Sequence, residues 1–227
     1  MLRCLAIVVA VSVGSPSLAA ACAPKDMVRV GSFNATPGLD PASDATKPRT
    51  IHRLGKLFAR IDEGPDPANR MHRLTVIREP DIWTANRFDK TGQHVLDPGP
   101  VFEVHAPLFQ GPGLPTLFRE LELGCELDFI DAYAPKPHGK VGKGPMAFIR
   151  HQLTIGDHRI EILLKPVKPG APRKVYSVGL YVKDQPRSVI QYLAYDVGLP
   201  ADMSLFERPK GIKYVEVSAS APTPPKP

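Results

Sequence analysis

The chain has 227 residues, of which 43% are hydrophobic and 23% charged, and its formal net charge at pH 7 is +6. This length suffices for one sizeable hydrophobic core, and the composition is close to that of globular proteins, which excludes a chain that is disordered throughout. Only the extreme N-terminus carries an apolar run directed at a membrane, so a multi-span membrane protein is excluded as well.

The first 21 residues have the three parts of an export signal. Arg3 precedes an apolar stretch from Cys4 to Gly14, and alanines fill positions 19–21. This segment resembles a bacterial secretory signal peptide, whereas a membrane-spanning helix needs about 20 apolar residues. The resemblance implies that residues 1–21 are removed and that the mature protein is extracytoplasmic, either periplasmic or anchored to a membrane.

Cys22 follows the small residues directly. The run from Leu18 to Cys22 resembles the lipobox of bacterial lipoproteins, with Ala19 three positions before the cysteine. That resemblance implies an acylated Cys22 that anchors the protein in a membrane. Once the leader is removed, Cys22 and Cys125 are the two remaining cysteines, and export also makes a disulfide between them an alternative. Three outcomes stay open: an acylated Cys22, a disulfide, or neither.

Proline and glycine divide the mature chain into three parts. Residues 22–48 are punctuated by both and predict an extended lead-in with one short strand at 27–30. Residues 49–218 predict a single β-rich domain. The tail at 219–227 has four prolines in its last six residues and predicts a disordered segment.

The beginning of the β-rich domain carries a helical pattern. Four apolar residues recur there at helical spacing: Ile51, Leu54, Phe58 and Ile61. Charged residues fill the other faces, and glycine and proline follow at 64–65. The pattern predicts an amphipathic helix over 49–61.

From residue 71 onward the hydrophobic period changes to two, which is the period of strands. Nine segments are candidate strands: 73–78, 81–88, 101–106, 121–130, 146–155, 159–165, 174–183, 188–195 and 212–218. Gly156 and Asp157, between two of these segments, are typical of a tight hairpin turn. Nine short strands without alternating helices predict a mainly β fold, an antiparallel sandwich or open barrel with one N-terminal helix.

Acidic residues alternate with apolar ones in the predicted strand at 121–130. The acidic side consists of Glu120, Glu122, Glu126 and Asp128. Residues two apart on a strand point to the same face about 7 Å apart, so this interpretation predicts an acidic surface. Such a surface is either solvated or a docking site for a basic partner or a cation. Cys125 lies on the apolar side and is expected to be buried.

Two further groups of residues are candidate binding sites. A turn at 97–100 would bring together four candidate metal ligands: His94, Asp97, Glu103 and His105. The glycine-rich loop at 135–145 carries Lys136, Lys140 and Lys143, but proline at position 145 breaks the pattern of a phosphate-binding loop. We expect either a solvated loop or one that contacts anionic lipid head groups or polysaccharide.

The sequence carries no catalytic signature such as Gly-x-Ser-x-Gly, so the catalytic residues, if any, are unknown. We therefore expect an exported, non-catalytic binding or interaction protein whose partner is an envelope component, with neither a cofactor nor a nucleic acid bound. Two alternatives stay open. One is an envelope hydrolase with a carboxylate or histidine site, and the other is a periplasmic metal-binding protein that uses His94, Asp97 and His105.

Overall fold

The structure is a computed structural model that describes residues 22–43 and 46–218. The signal peptide predicted at 1–21 and the tail predicted at 219–227 lie outside the described residues. The described part forms one open twelve-stranded sheet that is antiparallel except for one pair of strands at its edge. Within this part of the chain, no helix is both long and apolar enough to cross a membrane.

The elements follow one another along the chain in this order. The strands are β1 (Met27–Asn34), β2 (Arg49–Leu54), β3 (Phe58–Glu63), β4 (Arg73–Arg78), β5 (Asp81–Asn86), β6 (Thr91–Leu96), β7 (Lys140–Val141), β8 (Phe148–Ile155), β9 (His158–Leu164), β10 (Val175–Val182), β11 (Gln185–Leu199) and β12 (Lys213–Val217). The helices are α1 (Thr116–Arg119) and α2 (Glu126–Tyr133), with 3-10 turns at Gly144–Met146 and Met203–Phe206. Across the sheet the order is β12-β6-β5-β4-β3-β2-β1-β11-β10-β9-β8-β7.

A helical layer covers one face of half the sheet. This layer, residues 107–134, contains α1 and α2 and packs on β1, β9, β10 and β11. Phe118, Leu121 and Ile130 from the layer are fully buried against Val30 of β1 and Val178 of β10. We call this face the helix-side face, and we call β1 with β7–β11 the covered half.

The other strands, β2–β6 and β12, form the open half. Its opposite face is covered by the 3-10 turn at Met203–Phe206, where the Phe206 ring lies 5.5 Å from that of Phe58. Leu74, Val76 and Trp83 form a small buried cluster there. On the helix-side face, residues of the open half such as Ile77 and Ile82 are only half-buried.

The helix predicted over 49–61 is wrong, because this segment forms the hairpin of β2 and β3. Ile51 lies opposite Ile61, and Leu54 lies opposite Phe58 at the turn. Gly55 has a φ of +56°, which belongs to a turn and not to a right-handed helix. The apolar spacing fits both structures, since the four residues pair across the hairpin.

The mainly β class is confirmed, but the sheet has twelve strands instead of nine. The prediction at 73–78 matches β4, and β5 and β8–β12 overlap their predicted ranges. The prediction at 101–106 is wrong, since this segment is irregular. The prediction at 121–130 is also wrong, because its second part is α2, whose buried residues Glu126, Phe129 and Ile130 follow a helical spacing. The strand expected at 27–30 continues to residue 34 and lies in the middle of the sheet.

A disulfide and a buried arginine of β2 tie the lead-in to the helical layer. Cys22 and Cys125 are joined across 103 residues, and Cys125 is buried as expected. The Arg53 side chain is 1% exposed, and its Nη1 lies 2.7 Å from Glu122 Oε2. Its Nη2 donates to the carbonyl oxygens of Cys22 and Val104. A cysteine in a disulfide has no free sulfur for an acyl group, so this structure corresponds to the disulfide alternative, and acylation of Cys22 stays a prediction.

Candidate ligand-binding groove

The candidate metal ligands contact different partners. The ring nitrogens of His94 lie 2.7 Å from Asp81 Oδ1 and 2.6 Å from Glu216 Oε2. Glu103 pairs with Lys56 at 2.7 Å, and Nδ1 of His105 lies 3.0 Å from a Glu122 oxygen. The Asp97 carboxylate accepts a hydrogen bond from the Gly99 backbone. In the described chain, no three side chains of His, Cys, Asp or Glu are arranged to hold a metal ion.

The physical reason is the path of the chain after β6. The N–H of Asp97 donates to the carbonyl of Pro80, and the N–H of Val104 donates to the carbonyl of Lys56. The segment therefore runs along the turns that end β4 and β2 instead of folding back on β6. The hairpin expected to bring His94 and His105 together does not form.

The predicted acidic surface is wrong for two of its four members. Glu122 and Glu126 are buried, with 4% and 0% of their surface exposed, because they belong to the helical layer. Glu126 accepts hydrogen bonds from the Gly124 backbone and the Tyr192 hydroxyl, and burial raises the pKa of its carboxyl. The other two members, Glu120 and Asp128, lie at the surface, where Glu120 accepts a hydrogen bond from Tyr133.

The basic loop lies at the far edge of the covered half. Lys136, Lys140 and Lys143 are all exposed, and Lys140 belongs to the two-residue strand β7. None of the three has a carboxylate partner among the described residues. Solvation of this loop and contact of the loop with an anionic surface therefore both stay predictions.

A row of polar side chains crosses the helix-side face from the covered half into the open half. Residues directly opposite each other on antiparallel strands share a face, which identifies the members of the row. They are Ser32 of β1, Arg49 of β2, Glu63 of β3, Arg73 of β4, Asn86 of β5 and Thr91 of β6. Beside it, toward the turn at Gly55, lies a row that begins with Val30, Ile51 and Ile61. We call the row that runs from Ser32 to Thr91 the polar row.

Three adjoining cavities follow the polar row and share lining residues. The first, of about 200 Å³, lies beside the helical layer and is lined by Ser32, Phe33, Asn34, Arg49, Pro107, Leu108, Leu123, Ser188 and Ile190. The second, of about 250 Å³, is lined by Lys47, Arg49, Glu63, Gly64, Asp66, Met71 and Arg73. The third, of about 390 Å³, is lined by Met71, Arg73, Thr84, Ala85, Asn86, Thr91, Gly92, Gln93 and Val215. Because Arg49 is common to the first two and Arg73 to the last two, the cavities form one groove.

The charges in the second cavity are largely paired. Lys47 forms an ion pair with Asp66, and Arg73 Nη1 lies 3.4 Å from Glu63 Oε2. Hydrogen bonds from Lys47 and Asn69 hold the pKa of the Asp66 carboxyl well below its usual range. Asp66 is therefore a carboxylate at neutral pH and acts as a fixed counter-charge.

Among the described residues, the lining of the groove offers hydrogen-bond donors and no unpaired acid. A general base needs a titratable group near neutral pH that faces the substrate. The carboxylates in the lining, those of Glu63 and Asp66, are paired with cations, and no histidine lines the three cavities within the described chain. Hydroxyl, amide and guanidinium groups remain to donate hydrogen bonds to a ligand.

None of the polar-row residues was a candidate in the sequence. They come from six strands, and their proximity depends on the register of five strand pairings, which a single sequence does not reveal. The alternation in β4 and β5 indicates which residues share a face, but not which residues of other strands lie beside them.

No family model and no curated protein matches the chain. Among solved structures, the chain is similar to an uncharacterized conserved protein from Thermus thermophilus, with 11% identity, a TM-score of 0.45, and 85% of this chain and 91% of that chain covered. It is also similar to MucB in complex with MucA(peri), with 11% identity, a TM-score of 0.40, and 85% of this chain and 57% of that chain covered. A third similar structure is that of PNGF-II, with 11% identity, a TM-score of 0.32, and 86% of this chain and 32% of that chain covered. Likenesses at this level carry no argument about function.

Proposed function

We propose that this protein is an exported, non-catalytic binding protein of the cell envelope and that its ligand occupies the groove along the polar row. The observation that carries the proposal is the series of three cavities that share Arg49, Met71 and Arg73. A concave site with a few convergent polar groups is the usual form of a ligand site.

Two observations support export. The N-terminal segment resembles a secretory signal peptide, and Cys22, the residue that follows it, lies within disulfide distance of Cys125. Disulfides persist in oxidising compartments and are rare in the cytosol. A protein with both features is expected outside the cytoplasm, where its partner is an envelope component.

Binding is favoured over hydrolysis by the state of the carboxylates. Glu63 and Asp66 are the acids of the groove, and each already faces a cation. A hydrolase would have to break one of these pairs to free a general base. Ligand binding requires no such change.

The test fills the groove with a bulky side chain. Thr84 lines the third cavity, and Thr154 lies exposed on β8 in the covered half, so Thr84→Trp and Thr154→Trp form a matched pair. Mature protein is isolated from its native envelope, and the molecules bound to it are extracted and identified by mass spectrometry. We expect the parent and Thr154→Trp to retain the same bound molecule and Thr84→Trp to lose it.

A parent protein that carries no bound molecule would overturn the proposal, and so would either of two further results. One is a bound molecule that Thr84→Trp retains in full, which would move the site elsewhere. The other is turnover of esters, phosphoesters or glycosides by the parent that Thr84→Trp abolishes, which would make the groove an active site.

A further inference from the structure

We propose that Arg49 recognises a carboxylate on the ligand and that the first cavity takes a small apolar group attached to it. This inference names the ligand chemistry of the groove and therefore rests on the proposed function. The juxtaposition that carries it is Arg49, half-buried and unpaired among the described residues, which lines a cavity that has both polar and apolar walls.

Arg49 occupies the junction of two cavities. It opens β2, where it lies opposite Ser32 of β1 on one side and opposite Glu63 of β3 on the other. It lines both the first and the second cavity. Because Glu63 pairs with Arg73, Arg49 has neither an ion pair nor a side-chain hydrogen bond with any described residue.

The charge of the groove selects the charge of the ligand. Among the described lining residues, Lys47 faces Asp66 and Arg73 faces Glu63, so the charge without a counter-ion is that of Arg49. A half-buried cation has lost part of its hydration, and an anionic partner compensates that loss. A monoanion balances the site, whereas a dianion would leave a negative charge beside two carboxylates.

The shape and the single charge of the guanidinium together favour a carboxylate. Its N–H groups form a planar fork that matches the two carboxylate oxygens, and Ser32 and Ser188 line the same cavity as further hydroxyl donors. A phosphate monoester carries a charge of about −1.5 to −2 at pH 7, more than this site neutralises.

The remaining walls of the first cavity select the group next to the carboxylate. The apolar residues that line them are Phe33, Pro107, Leu108, Leu123 and Ile190. Sites for drug-sized ligands measure about 300–1,000 Å³. The first cavity has about 200 Å³ and therefore fits a short alkyl chain or a single ring.

The experiment compares ligands that differ only in the head group. Hexanoate, hexanamide and pentyl phosphate, which share a five-carbon tail, are titrated into ¹⁵N-labelled mature protein at pH 8, and the shifts of the Ser32, Ser188 and Ile190 amides are followed. We expect saturable shifts with hexanoate and an affinity at least about tenfold lower for hexanamide, which lacks the charge-assisted hydrogen bond. We expect a similar loss for pentyl phosphate, because its second negative charge lies beside two carboxylates.

Arg49→Gln removes the fork, and Arg29→Gln is the matched control. Arg29 lies on β1 with its side chain paired to Asp196, so its replacement changes the net charge equally without touching the groove. We expect Arg49→Gln to weaken hexanoate about tenfold or more and to leave hexanamide unchanged. Arg29→Gln should change neither. Arg49→Lys, which keeps the charge and loses the fork, should bind hexanoate with intermediate affinity and serves as the second variant if Arg49→Gln does not fold.

Hexanoate binding that is absent in the parent, or that Arg49→Gln and Arg49→Lys leave unchanged, would overturn this inference. The two proposals fail separately. A native ligand that Thr84→Trp loses but Arg49→Gln retains would preserve the groove as the binding site and remove Arg49 from recognition. Hexanoate binding at Arg49 without any native ligand in the groove would preserve the anion site and refute the proposed function.

Discussion

The two halves of the sheet are stabilised by different means. The covered half has a large core in which side chains of the helical layer, such as Phe118 and Leu121, are buried against four strands. The open half has a buried cluster of three side chains, Leu74, Val76 and Trp83, on the face away from the groove. A second helical layer would add stability, but it would also fill the groove. Stability concentrated in one half therefore leaves a sheet face free for a ligand.

The largest expected effect comes from loss of the disulfide. Closing a loop of about 100 residues contributes about 4 to 5 kcal/mol in the chain-entropy model, so Cys22→Ser with Cys125→Ser should lower the free energy of unfolding by about that amount. Urea unfolding of the two proteins measures it. Equal unfolding midpoints, together with an acyl mass on Cys22 in protein from the native envelope, would favour the lipoprotein alternative.

A similar effect is expected from the buried ion pair that joins Arg53 of β2 to Glu122 of the helical layer. Arg53→Met leaves the Glu122 carboxylate buried without its cation and should cost about 3 to 5 kcal/mol. The double variant Arg53→Met, Glu122→Leu should recover most of the loss, because it removes both charges. Arg29→Met, which breaks the exposed pair with Asp196, should cost about 1 kcal/mol or less. Equal costs for Arg53→Met and Arg29→Met in urea unfolding would show that Arg53 does not hold the layers together.

Glu126 gives the covered half a pH dependence. Burial raises the pKa of this carboxyl above its ordinary value of 4.5, so the folded state favours the protonated form. Stability is then fully present below pH 4.5 and decreases as the pH rises from 4.5 through the raised pKa, by at most about 1.4 kcal/mol per pH unit. Glu126→Gln should abolish this decrease in unfolding experiments at a series of pH values.

Asp131→Asn is a control, because Asp131 changes the stability with pH in the direction opposite to that of Glu126. The Arg173 side chain lowers the pKa of the Asp131 carboxyl, so this group contributes stability above its unfolded pKa and loses it as the pH falls. A parallel pH profile for the parent and Glu126→Gln would contradict the assignment of the dependence to Glu126.

The smallest effect is expected in the open half. Glu216 joins β12 to His94 of β6, but its side chain is 70% exposed, so Glu216→Gln should cost about 1 kcal/mol or less. The change should be local, with faster hydrogen exchange at the amides of 213–217 and unchanged exchange in β9 and β10. A uniform increase across the sheet would indicate that the two halves unfold as one unit.

The sequence was sufficient for elements whose pattern has a single interpretation. The alternation in β4 and β9 predicts strands because one face of each is buried, and Cys125 is buried because it lies among apolar neighbours. The hydrophobic pattern led to a wrong prediction at 49–61, because apolar residues that pair across the β2–β3 hairpin have the same spacing as one face of a helix. It was misleading again at 121–130, where a short alternating run precedes a helix.

The residues of the groove could not be predicted from the hydrophobic pattern, for a different reason. Arg49 is notable only because Glu63 pairs with Arg73 and because the helical layer ends beside it. Both facts depend on long-range strand register, and shifting one strand by a single residue would move its polar-row member to the opposite face.

The parallel pairing of β12 with β6 has a consequence for how the chain is made. His94 and Glu216, which meet in this pair, are 122 residues apart. Until the ribosome has synthesised the last strand, the hydrogen-bonding groups along one side of Thr91–Leu96 have no partner, and unpaired strand edges are sites of aggregation. A nascent chain therefore carries this exposed edge from residue 97 until residue 217 has been made, and a chaperone that holds the chain unfolded over that interval would suppress misassembly.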